Sequence, residues 1–206
     1  MSKTVVEYVA KRVTYHTDLP FDEVTARLEQ ALNKPNAGLA VFRLIDHAET
    51  KAELDGGLRA IVDGHEFIYF SELVHHRWLR LYAADSSDSD SSLDATAAPR
   101  AVVYTFGNPP IGQTILRHDV AVGLHVPPRI MVLEDRDQDQ DQGKDGIRRG
   151  AGTRIIYEDP ATMFPVPGVP GEVVDGEVRR IAEFLSEKLD RFVRALLTTT
   201  TEAKDK

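Results

Sequence analysis

The chain has 206 residues, enough for one domain with a substantial core, and its 42% hydrophobic and 28% charged residues are ordinary for a globular protein. Its formal net charge of −8 opposes attachment to phosphate backbones or anionic lipid, which require positive potential, so neither nucleic acid nor membrane is an expected partner. The absence of cysteine excludes disulfides, thiolate metal sites and cysteine nucleophiles.

The opening stretch "MSKTVVEYVAKRVTYHT" alternates polar with apolar residues instead of carrying the apolar centre of a signal peptide, and no apolar run is long enough to span a bilayer. A cytoplasmic location and a single domain over 1–206 are the expectations. Within residues 5–16, Val5, Val9, Val13 and Tyr15 indicate a strand. "LPFDEVTARLEQALNK" then places Pro20 in a first-turn position, Asp22 and Glu23 near the positive end of the dipole, and Val24, Leu28 and Leu32 on one stripe, which predicts a helix. "KPNAG" stops it.

"LAVFRLID" (Leu39–Asp46) reads as a largely buried strand, and "HAETKAEL" as a short helix closed by Gly56 and Gly57. "EFIYFSELVHHRWLRLYAAD" carries both periods and is read as strand first, helix after. "DSSDSDSSLDATAAP", residues 85–99, is Ser/Asp/Ala low complexity that cannot bury enough apolar area to order itself. In it, Ser87 and Ser91 each precede an acid by three residues and could accept phosphate.

"RAVVYTF" is a strand, "PIGQTILR" a short helix and "HVPPRIMVLED" a strand entered through two prolines. A second acidic, solvated insertion covers about 136–152, and "TRIIYED" beyond it is the hairpin partner of the preceding strand. "PATMFPVPGVPG" is a proline-punctuated connection. Val178, Ile181, Leu185, Leu189, Phe192 and Leu196 then repeat at helical period and predict a long amphipathic helix over about 172–198. The economical fold class is α+β: a mainly antiparallel sheet with helices packed on one face.

The "FGNPPIG" corner has two readings. Asn108 can cap the helix that Pro109 opens, or the free N–H groups of that helix start can cradle a small anion. There is no repeated glycine pattern and no following lysine, so a nucleotide loop is not indicated. "ELVHHRW" is the best polar cluster: in a helix, Glu72 and His76 would share a face, a spacing suited to a metal or to proton transfer. Two residues do not make a metal site, and His16, His47, His65, His118 and His125 carry no second motif. The bland alternative buries Trp78 in an amphipathic segment with the histidines at its edge. His47 after a strand end, with Arg129, Tyr157 and Asp159 at strand ends, could complete a polar pocket. No serine nucleophile elbow is present.

"FRLIDHAE", "TFGNPPIGQTIL", "HVPPRIMVLED" and "IIYEDP" together resemble the domain of unknown function 302 family over most of residues 11–165. "EFIYF" and "HHRW" are similar to a variant subgroup associated with fungi. The resemblance implies a small α+β domain of the TATA-box-binding-protein-like class. It implies no catalytic residue, because the family has no agreed one. Residues 58–100 and the long acidic insertion after Glu134 depart from the bacterial pattern.

Three functions are in competition. The first is a small-ligand-binding domain with candidate contacts His47, Glu72, His75, His76, Trp78, Asn108, Arg129 and Tyr157, taking a small anionic metabolite. The second is a homodimeric interaction module that uses residues 67–82 or a sheet edge. The third is a metal-assisted enzyme built on Glu72 with His75 or His76. No cofactor or metal is assigned.

Overall fold

In the computed structural model, which describes residues 1–84, 99–135 and 152–198, alternating residues build five strands. They are β1 (Arg12–Thr17), β2 (Ile68–Val74), β3 (Ala101–Gly107), β4 (Arg129–Asp135) and β5 (Gly152–Glu158). They form an antiparallel sheet in the spatial order β1-β5-β4-β3-β2. The helices are α1 (Phe21–Ala31), α2 (Leu39–His47), α3 (Lys51–Val62), α4 (His75–Ala84), α5 (Pro109–Leu116), α6 (Pro160–Met163) and α7 (Gly176–Leu197), with a 3-10 turn at Val120–Leu124.

The α+β class holds. One parity of the sheet, including Val102, Tyr104, Phe106, Ile130, Val132 and Ile155, is buried beneath α1 and α7. From α7, Ile181, Leu185, Leu189 and Phe192 reach this core, each contributing roughly 1.5–3 kcal/mol on burial. β4 and β5 pair antiparallel from Ile130↔Tyr157 to Asp135↔Gly152, as the hairpin expectation requires. Residues 85–98 and 136–151 of the two acidic insertions, with Ser87 and Ser91, lie outside the described residues, and Gly152 already belongs to β5.

Leu39–His47 is a helix, not the expected buried strand. The run is too short for its apolar content to separate the two periods, and only Val41 of it is fully buried. Helical geometry turns Val41 onto Ile68 and Phe70, and sets Leu44 against α3. α3 also runs through Gly56 and Gly57 instead of stopping there, ending at Asp63, which takes the left-handed conformation (φ 37°). Gly57 is where Leu44 rests: a Cβ there would meet Leu44 Cδ1 at 2.6 Å. Close helix packing therefore outweighs the propensity cost of a mid-helix glycine, roughly 1 kcal/mol.

β2 followed by α4 matches the strand-then-helix expectation. A bulge at Phe70, between the pairs Tyr69↔Phe106 and Ser71↔Thr105, shifts the parity of β2. Ile68, opposite Gly107, and Phe70 two residues on meet Val41 in a second, smaller cluster. That contact brings α2 and α3 to the end of the sheet where β3 stops.

Candidate functional site

At that end of the sheet the chain makes two proline corners side by side. β3 leaves through Gly107-Asn108-Pro109 into α5, and β4 is entered through Val126-Pro127-Pro128, with a cis Val126–Pro127 peptide. Gly107 permits the approach of the two corners, since a Cβ on it would meet Pro127 Cβ at 3.3 Å. The Phe106 N–H donates to the Pro128 carbonyl oxygen at 3.2 Å and closes the pair.

Between these corners and the surrounding helices lies a cavity of about 450 Å³. Leu54 and Leu58 of α3, Phe70 of β2, Ile111 and Ile115 of α5, and Ile181 and Leu185 of α7 line it, with Phe164, Pro109, Pro127 and Pro128 completing the wall. Its size falls in the range of small-molecule sites, roughly 300–1,000 Å³, and its wall is overwhelmingly apolar. Three polar side chains reach it: Asn108, Gln113 and Arg117.

Asn108 is engaged structurally. Its side-chain oxygen accepts the Ile111 N–H at 3.1 Å, capping α5, while its amide donates to the Glu66 carbonyl oxygen at 2.9 Å. Pro109 and Pro110 have no N–H, and the Gly112 N–H donates to the Asn108 carbonyl at 2.9 Å. Residues 109–112 therefore leave no donor for an anion, and the capping reading of the corner is the one the structure adopts.

The other sequence candidates do not gather around this cavity. Ile68 faces Gly107 in the register, whereas Glu72 faces Tyr104, roughly 10 Å along the strand pair, and Val74, just before the histidines, faces Val102, roughly 17 Å along it. Glu72 belongs to β2, not to a helix, so the Glu72–His76 helical face does not form. Its carboxylate accepts from Lys34 Nζ at 2.7 Å, and Lys34 also binds Glu29 at 2.8 Å. Tyr104 completes the group by donating its hydroxyl to Glu29 at 3.0 Å.

Burial, followed by the Glu29 carboxylate, holds the Tyr104 phenol far above its ordinary pKa. Burial pulls the Lys34 pKa down, but the hydrogen bonds to Glu29 and Glu72 outweigh it and the net shift is upward. A lysine held cationic in this way is a poor nucleophile or base, and the cluster reads as a brace between α1 and the sheet.

His76 is tied to the backbone of β3, where the Ala101 N–H donates to Nδ1 at 3.1 Å. His75 packs its ring 5.9 Å from that of Trp78. Trp78 is 43% exposed, against the expectation of burial: α4 follows an edge strand and presents the indole to Tyr82 and solvent. His47 is the exposed last residue of α2, beside a shallow depression lined by Arg43 and Glu53. Arg129 is exposed at the start of β4. Tyr157 is buried in β5 and stacks on Tyr15 at 6.5 Å, and burial, then Tyr15 and Asp190, raise its pKa. Asp159 caps α6 and accepts from Ser186 Oγ at 2.6 Å.

Among the described residues no group of three His, Asp or Glu side chains is placed to hold a metal. His65, His118 and His125 contact the Ala31 carbonyl, Asp175 and Phe164 respectively, and His16 contacts Asp135. Sequence reading missed Gln113 and Arg117, although both stand in the helix it predicted, one turn apart. It also missed Phe164, Leu54 and Leu58, which tertiary packing alone brings to the cavity. Among the described residues no helix is long and apolar enough to cross a membrane.

The model of a protein family, described as domain of unknown function DUF302, matches residues 53–196. The chain belongs to the DUF302 family. The match takes in both proline corners and the C-terminal helix, and leaves "FRLIDHAE" before its start. A solved DUF302 structure, titled as that of an uncharacterized conserved protein from Bacillus stearothermophilus, is similar with a TM-score of 0.49 and 15% identity, covering 90% of this chain and 94% of that one. No curated protein matches the chain.

Proposed function

We propose that this DUF302 chain binds a small, predominantly apolar molecule in the cavity at the proline corners. The observation that carries the reading is the cavity's composition: about 450 Å³ walled by aliphatic and aromatic side chains, with Asn108, the polar side chain at the corner, already satisfied by Ile111 and Glu66. A phosphate or sugar would lose its hydration there and find few partners, whereas an apolar body would replace water contacts at roughly 25 cal/mol per Å² of apolar surface buried. The wall is formed by α3, α5 and α7 together with both corners, so the occupied form binds elements distant in sequence to one another.

A thermal-shift series tests this directly, because a ligand bound by the native state alone raises the melting temperature by mass action. Apolar alcohols and ring compounds should raise it, and nucleotides, sugar phosphates and divalent metals should not. A shift confined to the polar set would defeat the reading.

A second reading has its own observation. The outward face of the sheet, opposite α1 and α7, carries a stripe of Leu73, Val103, Met131 and Ile156 across four strands, with Leu133 beside it. Leu73 is 54% exposed. The next row carries Arg129, Glu158 and Arg12, alternating in sign, so a second copy rotated by a twofold axis could meet the stripe with its own and set opposite charges together. Met131→Lys would then convert a dimer into a monomer by light scattering, and a monomeric wild type would dismiss it.

A further inference from the structure

We infer that the ligand of the corner cavity is an amphiphile with a single anionic head, such as a medium-chain carboxylic acid, whose head is held at the cavity mouth by Arg117 with Gln113. The inference rests on the apolar-ligand reading and adds the polarity and place of the head. Arg117 is the one charged side chain in the cavity wall among the described residues, and it closes α5 as the C-cap. It forms no ion pair among the described residues, in a chain with 33 acidic residues against 25 basic ones.

Its neighbour on the same helix face orients it. With its amide oxygen turned to the guanidinium, Gln113 accepts from Arg117 Nε at 2.8 Å and from one terminal nitrogen at 3.2 Å. That fixes the plane of the guanidinium and leaves N–H donors of Arg117 and the Gln113 amide to point outward. A planar fork of this kind suits a carboxylate, which accepts two parallel hydrogen bonds from arginine. The apolar wall begins next to it at Leu116 and Ile115, so a head held by Arg117 continues into a tail whose surroundings are mainly hydrocarbon, with Asn108 the one other polar side chain it passes. The start of α5 cannot take the head, because Asn108 and two prolines fill it. The molecule therefore has one orientation: head at the C-terminal end of α5, tail toward the proline corners.

Decanoate and decanol, titrated calorimetrically into the wild-type chain and into Arg117→Gln and Arg117→Lys, test the assignment at a pH where the acid is ionised. Decanoate is expected to bind wild type on the order of ten-fold more tightly than decanol, as a charge-assisted pair partly exposed to water would give. Arg117→Gln should narrow that gap to about two-fold or less, and Arg117→Lys should restore only part of it, having charge without the fork. Equal binding of acid and alcohol by wild type would overturn the anionic head and leave the apolar pocket standing. A gap that Arg117→Gln leaves intact would overturn the role of Arg117. Binding of neither compound would overturn both the head and the pocket.

Discussion

The side chain of Asn108 joins two segments that are distant in sequence: its oxygen caps α5 through the Ile111 N–H at 3.1 Å, and its amide donates to the Glu66 carbonyl oxygen just before β2 at 2.9 Å. Both ends of one amide thus fix the corner that floors the cavity. Asn108→Ala loses the cap and the cross-link, and should destabilise the chain by about 1–3 kcal/mol in urea unfolding at unchanged m-value. Asn108→Ser keeps a capping oxygen and loses the amide donor without setting an acceptor against the Glu66 carbonyl, so it should fall between the alanine variant and wild type. Equal loss in the two variants would show that the Glu66 bond, not the cap, stabilises the corner.

Gly56 and Gly57 are adjacent in α3 but meet different surroundings. A Cβ at Gly56 meets nothing within 4 Å, whereas one at Gly57 would meet Leu44 Cδ1 at 2.6 Å. Gly56→Ala should therefore stabilise by about 0.5–1 kcal/mol through helix propensity, and Gly57→Ala should gain less or lose stability. In a Leu44→Ala background the two substitutions should become alike. Differential scanning calorimetry of the six proteins checks it.

Tyr104 predicts a loss of stability at high pH. An unfolded tyrosine releases its proton near pH 10, at roughly the ordinary value. The folded chain holds it to higher pH, because burial and the Glu29 carboxylate disfavour the phenolate. The folded pKa is raised, so this contribution is fully present below about pH 10 and is lost as pH rises beyond that value. Tyr104→Phe should weaken the alkaline fall in stability while costing about 1 kcal/mol at neutral pH from the lost bond to Glu29. An unchanged alkaline slope in the variant would assign the fall to Tyr15, Tyr69 and Tyr157, whose pKa values are also raised.

The parts of this architecture legible from sequence are those in which a local signal and the tertiary structure agree. Asn108 followed by proline is a helix start whatever surrounds it, and the spacing of Val178 to Leu196 leaves α7 a single apolar stripe. Leu39–His47 misleads because its helical identity is decided by partners, Ile68 beneath Val41 and the bare backbone of Gly57 beneath Leu44. Glu72 and His76 share a helical spacing in the sequence, yet the chain changes from strand to helix between them. The cavity was half visible: the glycine and proline corners mark a tight approach of backbones, but no local pattern announces that Leu54, Phe164 and Leu185 close the other side.

The most direct test of the apolar pocket is titration of the uncharged fluorophore N-phenylnaphthylamine into the wild-type chain and into Gly112→Leu. Gly112 lines the cavity, and a Cβ there makes only ordinary contact with Val126 at 3.5 Å, so a leucine can enter the space while favouring the helix. Saturable fluorescence enhancement at one site in wild type, weakened at least about ten-fold in Gly112→Leu at equal or higher stability, is the predicted result. No saturable binding, or the same affinity in the filled variant, would contradict the placement of a ligand at the proline corners.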